Sequence, residues 1–434
     1  MRSAWLRQQS SKKCARRTRR SDRRQSEDTS QRCPLSIAGH EQELLCRRMD
    51  VPGQPTRSDP MHITTTREDL LAAIAPLMSV AQRRTKSRNG HANLTIRAGE
   101  GTQIHFNTSD ENSDICTAST ATIRERGEIG VSAKRLSDIM RSFASGSLVE
   151  MQRKGNFLNI KLDGSRFSIN CDGPLAPVTR QAAKTGQTTG KFDLAADEFK
   201  YLLDAACSGV AGLGSDSKLP QGVLFHLTGD RLRLVGTDGG RMAVASTSIN
   251  TLQAEKLVLG HNSVADIRTL LSKARSDEQI GFSWGSGMAH IKTTYADLHV
   301  GVLANTYVDY ERIMAANTVN PFHVGLADLR EILTRTLILS TAVTVKLTGR
   351  TLSFITADQA SRSQGQESIE SIELPADARR VNDFAISVNA QYLLDALNAV
   401  RGESVHLSVS KPDTPLIVLA NGGDARVYVM PVRI

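Results

Sequence analysis

The residues with the most chemical promise stand together at Thr237-Asp238-Gly239-Gly240-Arg241-Met242. A carboxylate, two glycines and a guanidinium in succession loosely resemble a loop that cradles an anion. The stretch lacks the Lys-Ser/Thr of a P-loop and the GxGxxG of a dinucleotide site. The ten histidines form no HxxxH or HExxH, and no serine sits in GxSxG. Six cysteines show no paired spacing and no metal motif, which favours a reducing, cytoplasmic setting. A Ser or His with a distant Asp can be picked from any chain this long and carries no weight. No catalytic residue, metal or cofactor is expected. What remains is recognition: the glycines keep bulk away so that another backbone can approach. Met242 would add compliant apolar surface, and Arg241 a charged rim. A hydrolase or transferase on a repeated scaffold is the enzyme alternative.

Around that loop, Val223, Phe225 and Leu227 alternate before Thr228-Gly229-Asp230, and Leu232 and Leu234 alternate after it. That is a β-hairpin, closed by the glycine corner. The hairpin recurs at Leu94–Asp110 and Val345–Asp358. A strand followed by an amphipathic helix recurs too. Ile63 leads Leu70, Phe192 leads Phe199 and Phe322 leads Leu329, at offsets of 129 and 130. A second set, Val131–Leu136, Leu259–Val264 and Val388–Leu393, repeats at 128 and 129, with Ser132, Asn262 and Asn389 near the expected N-caps. A period near 129 is too long for a solenoid. It predicts three copies of one α+β domain, each β-α-β-hairpin twice over. The expected boundaries are 61–183, 190–315 and 320–434, with polar linkers near Thr179–Gly190 and Ala315–Pro321.

The net charge of +9 is unevenly spread. Residues 1–60 hold 14 Lys and Arg against 7 Asp and Glu, which leaves only +2 for the rest. The first 60 residues read as a solvated basic tail, or as translated sequence ahead of a start at Met61, with a short helix at Leu35–Arg48. Scarce aromatics argue against recognition by base stacking. No apolar run approaches the ~20 residues of a membrane span.

From Met61 to Ile434 the chain resembles the bacterial sliding clamp, the β subunit of DNA polymerase III. The likeness is carried by LRLVGTDGGRMAV (Leu232–Val244), ISVNAQYLLDALNAV (Ile386–Val400), YVMPVRI (Tyr428–Ile434), GSRFSIN (Gly164–Asn170) and YVDYERIM (Tyr307–Met314). The resemblance implies a head-to-tail homodimeric ring of six domains around double-stranded DNA, with helices lining the hole and no sequence readout. It implies a non-catalytic processivity factor that tethers a polymerase catalytic subunit and also meets a clamp loader and other clamp-binding proteins. An accessory or plasmid-type clamp, serving a specialised polymerase or acting as a hub, is the alternative.

Residue by residue, the resemblance implies three sites. A client-peptide cleft would use Thr237, Gly239, Gly240, Arg241, Met242, Arg312, Ile313, Val429, Met430, Pro431, Val432 and Arg433. The DNA-facing set would be Arg84, Lys86 and Arg88, then Lys134, Arg135 and Arg141, then Arg268, Lys273 and Arg275, then Arg330 and Arg335. The dimer seam would use Phe167, Ile169, Ile338 and Leu339. The chain departs from the family at Gly240, where His is frequent, at Val308, where Pro is usual, at Pro220, near a usual Leu, and at Arg88-Asn89-Gly90, in place of Pro-Ile-Leu. The near-neutral body suits a ring that slides, since tight phosphate contacts would brake it.

Overall fold

The computed structural model describes residues 60–87, 93–171, 188–210, 222–251, 253–304, 306–315, 321–358, 362–370 and 383–433. The tail, the expected helix at 35–48, Arg88, Pro220 and most of both expected linkers lie outside the described residues.

Three successive units share one plan. The first runs β1 (His62–Thr66), α1 (Arg67–Ile74), a 3-10 turn (Ala75–Leu77), α2 (Met78–Ser87), β2 (Leu94–Ala98), β3 (Gln103–Ser109), β4 (Ser113–Thr120), β5 (Thr122–Glu125), β6 (Gly127–Val131), α3 (Ala133–Arg141), β7 (Leu148–Lys154), β8 (Phe157–Leu162) and β9 (Ser165–Asn170). The second runs β10 (Gly190–Ala195), α4 (Ala196–Cys207), β11 (Gly222–Thr228), β12 (Arg231–Thr237), β13 (Arg241–Ser248), β14 (Ala254–Gly260), α5 (His261–Leu271), β15 (Gln279–Gly285), β16 (Met288–Lys292) and β17 (Ala296–Leu303). A short α6 (Tyr310–Ala315) leads on. The third runs β18 (Phe322–Gly325), α7 (Leu326–Thr336), β19 (Ala342–Thr348), β20 (Thr351–Asp358), β21 (Ser363–Ile369), β22 (Phe384–Asn389), α8 (Ala390–Ala399), β23 (Ser404–Ser408), β24 (Leu416–Ala420) and β25 (Ala425–Val429).

Each hairpin thus gains a third meander strand, and these strands join the units. In the first unit, β6-β2-β3-β4 form one antiparallel sheet and β1-β7-β8-β9 another. The same two sheets recur in the second and third units. Across the first boundary β4 pairs with β17, for example Asp297 opposite Cys116. Across the second, β13 pairs with β25 from Arg241 opposite Val429 to Ala245 opposite Ala425. The corresponding leftover strands, β9 and β21, end their sheets with no neighbour among the described residues.

Helices form where the apolar spacing and caps require them. Ser132 Oγ accepts from Arg135 N, and the Asn389 side chain accepts from Tyr392 N. Such a cap is worth about 1 kcal/mol. The cap expected of Asn262 is not made: Gly260 is the N-cap of α5, without a side-chain bond, and Asn262 lies inside the first turn. The main core is continuous through all three units. In the second it holds an aromatic stack, with Phe282 at 4.9 Å from Phe192 and 5.3 Å from Phe225.

Tertiary pairing also places an unexpected histidine at the first boundary. His299 on β17 lies opposite Asp114 of β4 and opposite His290 of β16. The two imidazoles stack with centroids 4.2 Å apart, and His290 Nε2 lies 3.0 Å from Asp297 Oδ1. Burial, with His290 adding to it, lowers the His299 pKa from 6.5 to about 4. The unfolded chain therefore takes up this proton first. Stability contributed here is lost as pH falls from about 6.5 towards 4. The melting temperature of His299→Gln should fall less over that window than that of the parent chain. Equal slopes in thermal melts would refute it.

Candidate partner cleft and nucleic-acid face

The sheet across the second boundary is apolar on both faces. Successive strand residues point to opposite sides. In β11, Val223, Phe225 and Leu227 enter the main core, while Leu224 faces the other way. Leu224, Val235, Met242, Val244, Val258, Tyr310, Ile417 and Tyr428 form a second buried cluster on that outer face. Leu303, Tyr307, Ile313, Met314 and Leu419 pack against it, partly exposed. The strap through α6 is tied down. Tyr307 Oη donates to the carbonyls of Val235 (3.0 Å) and Gly222 (3.2 Å). Tyr310 Oη meets His226 Nδ1 at 2.5 Å.

The glycine corner beside this cluster is a joint. Asp238 Oδ1 accepts from the backbone N–H groups of Gly240 and Arg241, both at 2.9 Å. Thr237 Oγ1 donates to the Arg241 carbonyl at 2.8 Å. Arg241 Nε donates to Asp238 Oδ2 (3.1 Å) and Nη1 to Asp395 Oδ2 on α8 (2.5 Å). Its guanidinium lies 4.3 Å from the centre of the Tyr392 ring, also on α8. Gly240 fits the same joint, because a Cβ there would stand 3.0 Å from Tyr392 Cε2. Gly239 takes φ +90°, open to glycine and rarely to others.

The twelve cleft residues therefore separate by depth. Thr237, Arg241, Met242 and Val429 are buried. Arg241 is no rim residue but a cation shared by two carboxylates. Met242 lies under the surface, and Val429 faces the main core because Tyr428 takes the outer side. Gly240, Ile313, Met430 and Pro431 are half-buried, and Gly239, Arg312, Val432 and Arg433 are exposed. Backbone bonds hold the C-terminal stretch in place. Met430 N donates to the Gly240 carbonyl at 2.9 Å and Val432 N to that of Ser387 at 2.8 Å. Ile313, Met430, Pro431 and Val432 thus keep partly exposed apolar surface, next in sequence to the exposed Arg312 and Arg433.

The expected basic lining is thinner than the sequence suggests. Lys134, Arg135, Arg141 and Lys273 are exposed. Arg268 is held by Asp204 at 2.6 Å and Arg275 by Asp277 at 3.3 Å. Arg330 donates to the Leu397 carbonyl at 2.7 Å and is half-buried between α7 and α8, so it does not face outward. Arg335 is engaged by Glu331 and Glu367. Arg84 and Lys86 fall in α2, but their side chains lie outside the described residues. Their neighbour Arg83 turns inward to Asp110 and Asp266, both at 2.6 Å. Lys200 on α4 is exposed and was missed.

At the expected seam, Ile338 is 80% exposed. Leu339 is half-buried beside Gly365 of β21, where an added Cβ would lie 2.9 Å from its Cδ1. Phe167 is half-buried, edge-on to Phe143 at 5.8 Å. Ile169 is 5% exposed and belongs to the chain's own core, since Phe167 and Ile169 sit at different depths along β9. The tyrosines of the strap and the joint aspartates other than Asp238 were not legible as site residues. Their only sequence signal was position in the repeat.

Residues 61–172 match the family model of the DNA polymerase III beta subunit, N-terminal domain. Residues 311–433 match that of its C-terminal domain. The beta sliding clamp of Pseudomonas aeruginosa is 25% identical over 385 residues, covering 86% of this chain and all of that protein. The Escherichia coli K12 beta sliding clamp is 24% identical over 348 residues, 79% of this chain and 92% of that one. The crystal structure of the Pseudomonas aeruginosa DnaN clamp bound to griselimycin superposes with TM-score 0.76 at 23% identity, over 86% of this chain and 100% of that one. The Thermotoga maritima beta subunit gives 0.75 at 17% identity, with the same coverages.

Removing Arg241 should leave two carboxylates at the joint without their cation. Arg241→Ala is expected to lower stability by about 3 kcal/mol, read as an earlier denaturation midpoint. Arg241→Lys should recover part of it, since the charge returns without the fork. An alanine variant with the parent midpoint would contradict this.

Proposed function

The chain belongs to the DNA polymerase III beta subunit family, and from that premise we propose how this sliding clamp closes, holds DNA and meets its clients. It acts in DNA replication as a processivity factor: a ring on duplex DNA tethers the polymerase, so persistence comes from topology. The observation that supports closure by a second copy is the pair of leftover edges. In chain order, β4 finds β17 and β13 finds β25. The next pairing in that series is β21 of one chain with β9 of another. Ile338, exposed just after α7, and Phe167, on β9, then become seam residues. Two chains of three domains close the ring head to tail.

The DNA face rests on the helices. Lys134, Arg135, Arg141 and Lys273 are the exposed cations of the expected set that have no ion-pair partner among the described residues. Arg84, Lys86 and Arg88 remain part of the reading. Few strong phosphate contacts suit sliding, because each added contact steepens salt dependence and slows release. No reaction is assigned to the chain. A cytoplasmic setting accords with replication, and among the described residues no helix is long and apolar enough to cross a membrane.

The strip formed by Gly239, Gly240, Ile313, Met430, Pro431 and Val432, with Arg312 and Arg433 beside it, is the client cleft. It takes a short apolar peptide from the polymerase, the clamp loader or other clamp-binding proteins. Gly240 packed on Tyr392 alters its shape relative to relatives with His there, so peptide preference shifts. The accessory-clamp alternative rests on the same departures.

Two experiments test this. Loaded on nicked circular DNA by a matching clamp loader and ATP, the protein should remain on circles and be lost once the DNA is linearised. Equal retention on both forms would abandon the ring. For the cleft, a Gln-Leu-rich client peptide should bind in fluorescence anisotropy, and Val432→Asp should weaken it at least tenfold without changing the melting temperature. No binding at high micromolar protein would sink the cleft.

A further inference from the structure

Each domain boundary within the chain carries the same polar lock. At the first, Asp110 Oδ1 accepts from Asn112 N (2.9 Å) and Ser113 N (2.8 Å). At the second, Asp238 Oδ1 accepts from Gly240 N and Arg241 N, again two and three residues on. The third residue after each corner aspartate begins the joining strand and reaches an aspartate on the next domain's helix. Ser113 Oγ donates to Asp266 Oδ2 at 2.8 Å, and Arg241 Nη1 to Asp395 Oδ2 at 2.5 Å. An arginine bridges corner and helix aspartates in both: Arg83 at the first boundary, Arg241 at the second. Ser79 Oγ adds a further bond to Asp266 Oδ1 at 2.8 Å.

The helix aspartates occupy one position of the repeat. Asp266 stands six residues after the N-cap Gly260 of α5, and Asp395 six after Asn389 of α8. Six residues after the N-cap Ser132 of α3 stands Asp138. Asp266 is 2% exposed within its lock. Asp138 is exposed and has no partner among the described residues. Among the described residues no domain precedes the first, and none supplies a partner to this aspartate. At the other end, β20 closes on Asp358 and β21 opens on Ser363, placed as Arg241 is placed on β13. Arg362, immediately before it, is exposed, makes no ion pair among the described residues and is held at φ +54°. The other nearby arginine, Arg335, is occupied by Glu331 and Glu367.

We propose that the lock is made a third time, between two copies of this chain, with Asp138 of one copy receiving Arg362 of the other beside Ser363. The proposal rests on the two-chain ring and deepens it, naming the polar contact that fixes the closing joint. The aspartate supplies the anion from the first domain and the arginine the cation from the third. On its own helix Asp138 has Arg135 three residues before it, and Glu367 of β21 is already held by Arg335.

Sedimentation equilibrium of the full chain tests this. Asp138→Arg and Arg362→Asp should each raise the dimer dissociation constant at least tenfold. The double exchange should recover most of that loss, with unchanged melting of the isolated chains in all three variants. A dimer indifferent to both single exchanges, or a double variant no tighter than either, would overturn the lock and leave the ring standing. A parent chain that stays monomeric at tens of micromolar would overturn the ring, and the lock with it.

Discussion

The structure depends on where the third strand of each meander sends its hydrogen bonds. A strand edge carries a row of N–H and C=O groups that must be met by another strand or by water. β4 and β13 solve this by borrowing the last strand of the following domain. That choice makes three domains one continuous body, and it places every boundary in the middle of a sheet. The same edge recurs on β21 and β9, which end their sheets among the described residues and which the proposed ring pairs.

The second boundary shows what such a joint makes possible. Pairing β13 with β25 extends a sheet whose outer face is as apolar as its inner one. The strap carrying Tyr307, Tyr310 and Ile313 covers part of that face. The proposed client cleft thus lies at a boundary between domains, where the pairing of β13 with β25 brings both to one sheet. The buried guanidinium of Arg241 holds the two sides at fixed separation. Its own charge is spent on Asp238 and Asp395 rather than offered to a ligand.

Charge is used differently on the helices. Of the cations expected to face DNA, Arg268, Arg275, Arg330 and Arg335 are tied to groups of the same chain. Exposed pairs of this kind contribute little to stability, but they remove cations that would otherwise grip phosphate. A ring whose work is to stay on and still move is served by that economy of contact.

Sequence alone determined the threefold repeat, the hairpins, the helix starts at Ser132 and Asn389, and the glycine corner. All of these are local, set by alternation, periodicity and capping within a few residues. Tertiary structure alone decided which face each side chain met. The sequence places Met242 and Val429 in one cleft, yet the pairing of β13 with β25, Met242 opposite Tyr428, puts them on opposite sides of the sheet. Helical spacing puts Arg330 and Arg83 among surface cations, yet a carbonyl on α8 and two aspartates from separate domains draw them in. Those partners lie tens to hundreds of residues away, and their effect depends on distances that only the folded chain sets.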